Sequence, residues 1–240
     1  MNSDATDVPR LICIHHAGGA SGAFRALTRA LDPHTPVVAV NLPGRESRLR
    51  EPRHRDVHAC ATQLVDELSP YLEQPHVLLG HSMGAIIAYT IAQQRIAAGY
   101  RSPDALIAAS YGAPHLPSAA AQIESADDLM LATTLSQFGG VPAEILSRPE
   151  WLAALMPLVR DDLRICANYR YRGEPPLPCP IHVFGGDADP LVTRAALTGW
   201  RRHTSQPSPI TIVPGGHLLF REPHPALVSA ISAILGADGR

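Results

Sequence analysis

The stretch Val77-Leu78-Leu79-Gly80-His81-Ser82-Met83-Gly84-Ala85-Ile86-Ile87-Ala88 decides how this chain is read. A short, unbroken apolar run enters Gly-x-Ser-x-Gly, and a second apolar stretch leaves it. The first run suits a strand covered on both faces. The second, from Met83 to Ala98, is apolar almost all round and suits a buried helix that stops at Gly99. Ser82 therefore belongs to a tight strand-to-helix turn. Side chains at positions 80 or 84 would collide there with the neighbouring strand or helix. Such a turn lifts the serine oxygen clear of the sheet. It also sets it at a helix N-terminus, where the dipole and free N–H groups favour a developing negative charge.

Working outward, six short apolar runs read as strands: Leu11 to Ile14, Val37 to Val40, His76 to Leu79, Ala105 to Ala109, Ile181 to Phe184, and Ile210 to Val213. Helical spacing lies between them, as in Asp56 to Leu72, where Val57, Ala61, Leu64, Val65 and Leu68 fall on one side. Alternating strands and helices predict an α/β fold with a doubly wound, mostly parallel sheet. The stretch 113–178 breaks the alternation. It shows helical patterns at Ala126 to Phe138, Ala143 to Leu146 and Pro149 to Tyr171, and no strand. It is too long for a bare loop and is expected to form a helical lid over the carboxyl ends of the strands, within one domain spanning 1–240. Leu129, Met130, Leu135, Phe138, Leu155, Met156 and Leu158 either line a pocket there or pack the lid itself.

Composition narrows the classes of function. Apolar residues make up 45% of the 240, which is ordinary for a globular protein. A formal net charge of −2 gives no reason to expect nucleic acid or an anionic membrane as partner. The polar, acidic start Met1 to Asp7 has neither the basic residues nor the apolar run of a signal peptide. No segment reaches ~18 consecutive apolar residues. Cys13, Cys60, Cys166 and Cys179 are scattered, form no Cys-x-x-Cys pair, and are expected as free thiols in a cytoplasmic protein.

A serine hydroxyl needs a general base within hydrogen-bond reach. The elbow in this setting resembles the α/β-hydrolases, in which the partners follow in the order serine, acid, histidine. Of twelve histidines, His217 follows the last strand through Pro214-Gly215-Gly216 and lies at the same sheet edge as Ser82. His224, between Pro223 and Pro225 at a helix start, is the weaker candidate. After the strand ending at Phe184, Gly185-Gly186-Asp187-Ala188-Asp189-Pro190 offers two acids. Asp189 is preferred, since Pro190 biases it toward an extended conformation. Asp187 is the alternative, or a turn residue. The oxyanion donors expected are the backbone N–H of Met83 and, from His15-His16-Ala17-Gly18-Gly19-Ala20 after the first strand, that of Ala17. His15 and His16 point to opposite faces and have no third partner at ligand spacing, so no metal is expected. His81 reads as a packed or hydrogen-bonded neighbour.

Taken together, the chain resembles the type II thioesterases, stand-alone partners of polyketide synthases and nonribosomal peptide synthetases. The matching pieces run in order along nearly the whole chain. They are His16-Ala17-Gly18-Gly19-Ala20, Leu42-Pro43-Gly44-Arg45-Glu46, Gly80-His81-Ser82-Met83-Gly84, Leu158-Val159-Arg160-Asp161-Asp162 with Tyr169, Gly185-Gly186-Asp187-Ala188-Asp189-Pro190, and Gly215-Gly216-His217. The resemblance implies hydrolysis of acyl thioesters from the phosphopantetheine arm of acyl or peptidyl carrier proteins, with no cofactor, by a monomer. A carboxylesterase or lipase, an acyltransferase, and a non-catalytic synthase-binding protein are the alternatives. Arg45, Arg48, Arg50, Arg53 and Arg55, opposed by Glu46 and Glu51, form a basic stretch. It either steers an acidic carrier protein or is taken up in internal ion pairs.

Overall fold

A computed structural model describes residues 8–141 and 143–236. The acidic start Met1 to Asp7, read above as lacking a signal sequence, lies outside them. Six strands form one parallel sheet: β1 (Arg10–Ile14), β2 (Val37–Ala39), β3 (His76–His81), β4 (Ala105–Ala109), β5 (Ile181–Gly186) and β6 (Ile210–Val213). Their spatial order is β2-β1-β3-β4-β5-β6. The α/β-hydrolase expectation is met, and β4 and β6 have the bounds expected from sequence.

The strands alternate their side chains between two apolar layers. Leu11, Cys13, Val77, Leu79, Ile107 and Phe184 pack with α1 (Arg25–Ala30) and α9 (Pro225–Ile234). Ile12, Ile14, Leu78, Leu106, Ala108 and Val183 pack with α2 (Val57–Leu72) and α3 (Met83–Ala97). Coverage on both faces is why β1, β3 and β4 read as continuous apolar runs. Helix α2 begins where Asp56 caps it, its carboxylate accepting from the Ala59 N–H at 2.8 Å. Helix α3 has no polar stripe because it is buried nearly all round. All four cysteines are buried and free.

Between β4 and β5 lie α4 (Ala120–Ile123), α5 (Asp128–Gln137), α6 (Ala143–Leu146) and α7 (Pro149–Asn168). They carry a small apolar cluster of their own, built on Leu131, Ala132, Met156, Val159 and Leu163, which also touches Ala17. Helices α1, α4 and α8 (Arg194–Thr198) gave no sequence signal, because a helix of one or two turns shows too little periodicity.

Register brings the site together. Chain order reverses across β1 and β3, and in such sheets ligands bind at the carboxyl ends of the strands beside that reversal. Ile14 stands opposite Gly80, His81 opposite Ala109, and Gly186 opposite Val213. The loops after β1, β3, β5 and β6 therefore all emerge along one edge.

Candidate active site

Ser82 sits between β3 and α3 with φ 52° and ψ −118°, a region that side-chain-bearing residues rarely occupy. Such a conformation costs about 1–3 kcal/mol and persists only where the surroundings fix it. Here the Ser82 N–H donates to the Ala109 carbonyl at 2.8 Å, and the Ala85 N–H donates to the Ser82 carbonyl at 2.8 Å. A Cβ on Gly84 would overlap the Ile14 carbonyl of β1, and one on Gly80 would overlap the Gly84 carbonyl and the Ala85 backbone. Two glycines are thus what let α3 lie close enough on the sheet to hold the turn.

His217 follows β6 and Asp189 follows β5. His217 Nε2 lies 2.9 Å from Ser82 Oγ, and His217 Nδ1 lies 2.9 Å from Asp189 Oδ2. A carboxylate only accepts, so Nδ1 carries a proton, and with that tautomer Nε2 is the nitrogen left to accept from the serine hydroxyl. The Asp189 side chain is 1% exposed, and its Oδ1 accepts from the Leu191 and Val192 N–H groups at 2.8 and 3.3 Å. Asp187 is exposed and instead accepts from the Gly215 N–H at 3.0 Å, which ties the β5 and β6 loops together. A Cβ on Gly186 would overlap the Gly215 and Gly216 carbonyls, so that glycine sets how closely these loops approach. His224 caps α9, its ring accepting from the Ala226 N–H at 3.2 Å.

His81 is the hydrogen-bonded neighbour expected from sequence, and the structure shows what it supports. Its Nε2–H donates to the His217 carbonyl at 2.8 Å. Burial holds the His81 ring down at about 3, so it remains a neutral donor.

Among the described residues, the backbone N–H groups of Ala17 and Met83 have no hydrogen-bond partner. Both residues line the pocket that contains Ser82 and His217. The loop that bears Ala17 is held from outside the sheet. Asp162 on α7 accepts from the Gly18 N–H at 2.8 Å and from both Arg45 terminal nitrogens at 2.8 and 2.7 Å. Arg45 in turn donates to the Gly19 carbonyl at 3.0 Å. Both charged side chains are buried, at 6% and 1% exposure, in a bidentate pair.

That pair also bears on the basic stretch, for which internal ion pairing is one of the two readings. Its arginines are mostly taken up internally. Arg48 bridges Glu51 and Glu67, and Arg53 and Arg55 both donate to Asp161. Burial alone would raise the Asp161 carboxyl, but the hydrogen bonds from Arg53 and Arg55 outweigh it and leave it below its ordinary value. Of the five, Arg50 alone has no ion pair among the described residues. The partners Asp161 and Asp162 are over a hundred positions away in sequence, so the neutralisation is invisible in a local reading.

The pocket has a volume of about 230 Å³ and is lined without a single charged Asp, Glu, Lys or Arg side chain. Leu135, Phe138, Leu163 and Cys166 of the insertion face it. Leu129 and Met130 do not; they are 58% and 59% exposed, while Met156 packs inside the insertion. Ser110 lines the pocket as well, at φ 52° and with its hydroxyl unpartnered among the described residues. No glycine marks that left-handed turn, so it is not legible from residue type. His15 and His16 form no metal site: among the described residues no three metal-ligating side chains gather.

The family model described as the thioesterase domain matches residues 9–235. The chain belongs to the thioesterase family. Among solved structures this thioesterase is similar to RedJ, the thioesterase from the prodiginine biosynthetic pathway in Streptomyces coelicolor. The two are 31% identical with a TM-score of 0.88, covering 94% of this chain and 90% of RedJ. It is similar also to BorB, the type II thioesterase from the borrelidin biosynthetic cluster, at 34% identity and TM-score 0.85, over 95% of this chain and 93% of BorB. A curated relative, the linear gramicidin dehydrogenase LgrE of Brevibacillus parabrevis, is 32% identical over 94% of this chain and 87% of its own length. LgrE bears a redox name, whereas RedJ and BorB are named as thioesterases. The type II thioesterase resemblance drawn from sequence is therefore borne out at the level of family.

Proposed function

We propose that this thioesterase hydrolyses acyl thioesters carried on the phosphopantetheine arm of acyl or peptidyl carrier proteins, clearing stalled or wrongly loaded groups in polyketide or nonribosomal peptide synthesis. It works as a cytoplasmic monomer, with the helical insertion as a lid over one domain. The observation that carries the reading is the chain of two 2.9 Å contacts from Asp189 through His217 to Ser82, opening into an apolar pocket.

Ser82 Oγ attacks the thioester carbon while His217 Nε2 takes its proton. The carbonyl oxygen gathers charge between the Ala17 and Met83 N–H groups, each worth about 3 kcal/mol to the transition state. Asp189 keeps the imidazole in its acting tautomer and stabilises the imidazolium. The carbon–sulfur bond then breaks. A thiol with pKa near ~8.5 leaves more readily than an amine or alkoxide and needs little proton donation. His217, having passed its first proton to the departing thiolate, next deprotonates a water that attacks the Ser82 ester, and returns that proton to Ser82 Oγ as the acid is released. The pocket, free of charged side chains, accepts the acyl chain.

The test is hydrolysis of an acyl-carrier protein against an oxygen ester of the same acyl chain. Preferred cleavage of the thioester, with an acyl adduct on Ser82 in the mass spectrum, is expected. Ser82→Ala should reduce turnover to background with the fold intact. Preference for the oxygen ester would favour the esterase reading, and near-wild-type turnover by the variant would remove Ser82 from its role.

A further inference from the structure

A second pocket, of about 420 Å³, opens beside the first. The two share His16, Gly140 and Leu218, so they adjoin along residues that line the first pocket together with Ser82 and His217. Their chemistry is opposite. Where the first has no charged lining, the second is ringed by Arg25 and Arg29 of α1 and by Arg221 beyond β6, with no carboxylate among its lining residues. All three arginines are exposed, and none has an ion pair among the described residues. Arg221 only donates weakly to the Gly139 carbonyl at 3.4 Å. The nearby Glu46 accepts from Ser21 at 2.7 Å. These unpaired cations contrast with the neighbouring stretch 45–55, where nearly every arginine is neutralised. The chain has no lysine, so its 20 cationic side chains are all arginine, the residue whose planar fork suits bidentate contact with a phosphate.

We infer that Arg25, Arg29 and Arg221 bind the phosphodiester of the carrier's phosphopantetheine arm. The uncharged pantetheine chain then passes His16 and Leu218, and the thioester arrives at Ser82 with its acyl group in the apolar pocket. This rests on the carrier-arm reading above and extends it to a recognition site. The contact is made equally in the ground and transition states, so it acts on KM and not on kcat.

The test uses three substrates with one acyl chain: acyl-carrier protein, acyl-phosphopantetheine and acyl-pantetheine, the last lacking only the phosphate. The wild-type enzyme should favour acyl-phosphopantetheine over acyl-pantetheine. The triple variant R25Q/R29Q/R221Q should raise KM for the two phosphorylated substrates at least about tenfold at unchanged kcat. It should leave acyl-pantetheine turnover alone and lose the salt dependence of KM. Equal losses on all three substrates would mean a structural role and overturn the inference. So would a variant indistinguishable from wild type on all three, with the carrier reading still standing. A wild-type enzyme that cleaves none of them would overturn the carrier reading itself, and this site with it.

Discussion

Asp189 and Asp187 stand two positions apart on the same loop, yet they do different work. The first has a buried carboxylate held by two backbone N–H groups and by His217. The second is exposed and braces the loop through Gly215. Asp189→Asn presents an amide that can turn its NH₂ toward His217 and stabilise the wrong tautomer. Its kcat should fall by about 10⁴, the size of the loss when the same acid-to-amide change is made in a serine-protease triad. Asp187→Asn keeps an acceptor for the Gly215 N–H, and its kcat should stay within a few-fold of wild type. Steady-state rates of the two variants decide the assignment, and the opposite ranking would transfer the role to Asp187. The preference was available from sequence through Pro190. The burial that makes it matter was not.

At the scale of elements, helix α7 joins the insertion to the sheet. Consecutive aspartates on it reach two parts of the early chain: Asp162 grips Arg45 and the Gly18 N–H, and Asp161 grips Arg53 and Arg55. The two pairings differ in burial. Arg45 is 6% exposed, whereas Arg53 and Arg55 are 32% and 62% exposed. Asp162→Ala leaves the Arg45 guanidinium buried without a counter-charge and should cost about 3–5 kcal/mol of stability. It also frees the loop that carries Ala17, so kcat should fall in whatever fraction remains folded. Asp161→Ala should cost much less, because water can solvate the released arginines. Denaturant melts of the two variants test the ranking, and a milder effect at position 162 than at 161 would refute it. The motif pieces around Arg45 and Asp162 were legible as resemblance, but their pairing was not: a sequence shows which residues are present and not which distant ones meet.

On the scale of the whole molecule, several histidines are folded away as neutral rings. Burial lowers His15 to about 4, His203 to about 4 and His81 to about 3, with His115 and Arg202 lowering His203 further. In the unfolded chain these rings return to about 6.5. Below that pH the unfolded state binds the extra protons, so each ring's contribution is whole above pH 6.5. It is lost as pH falls from there through about 4 and, for His81, about 3. The melting temperature should accordingly be lower at pH 5 than at pH 7, and equal or higher stability at pH 5 would contradict this account. No described helix is long and apolar enough to cross a membrane.

The sequence by itself determined the strand order along the chain, the elbow and the three catalytic candidates, because these depend on local periodicity, on glycine and on loops that follow strands. Their proximity depended on register, which puts Ile14 beside Gly80 and Gly186 beside Val213. Tertiary structure alone decided which charges are spent and which are free. Arg45, Arg48, Arg53 and Arg55 look like an open basic surface in sequence and are mostly neutralised by acids far along the chain. Arg25, Arg29 and Arg221 look unremarkable in sequence, yet converge on one opening. Coulomb attraction acts across space, and only the fold sets those separations.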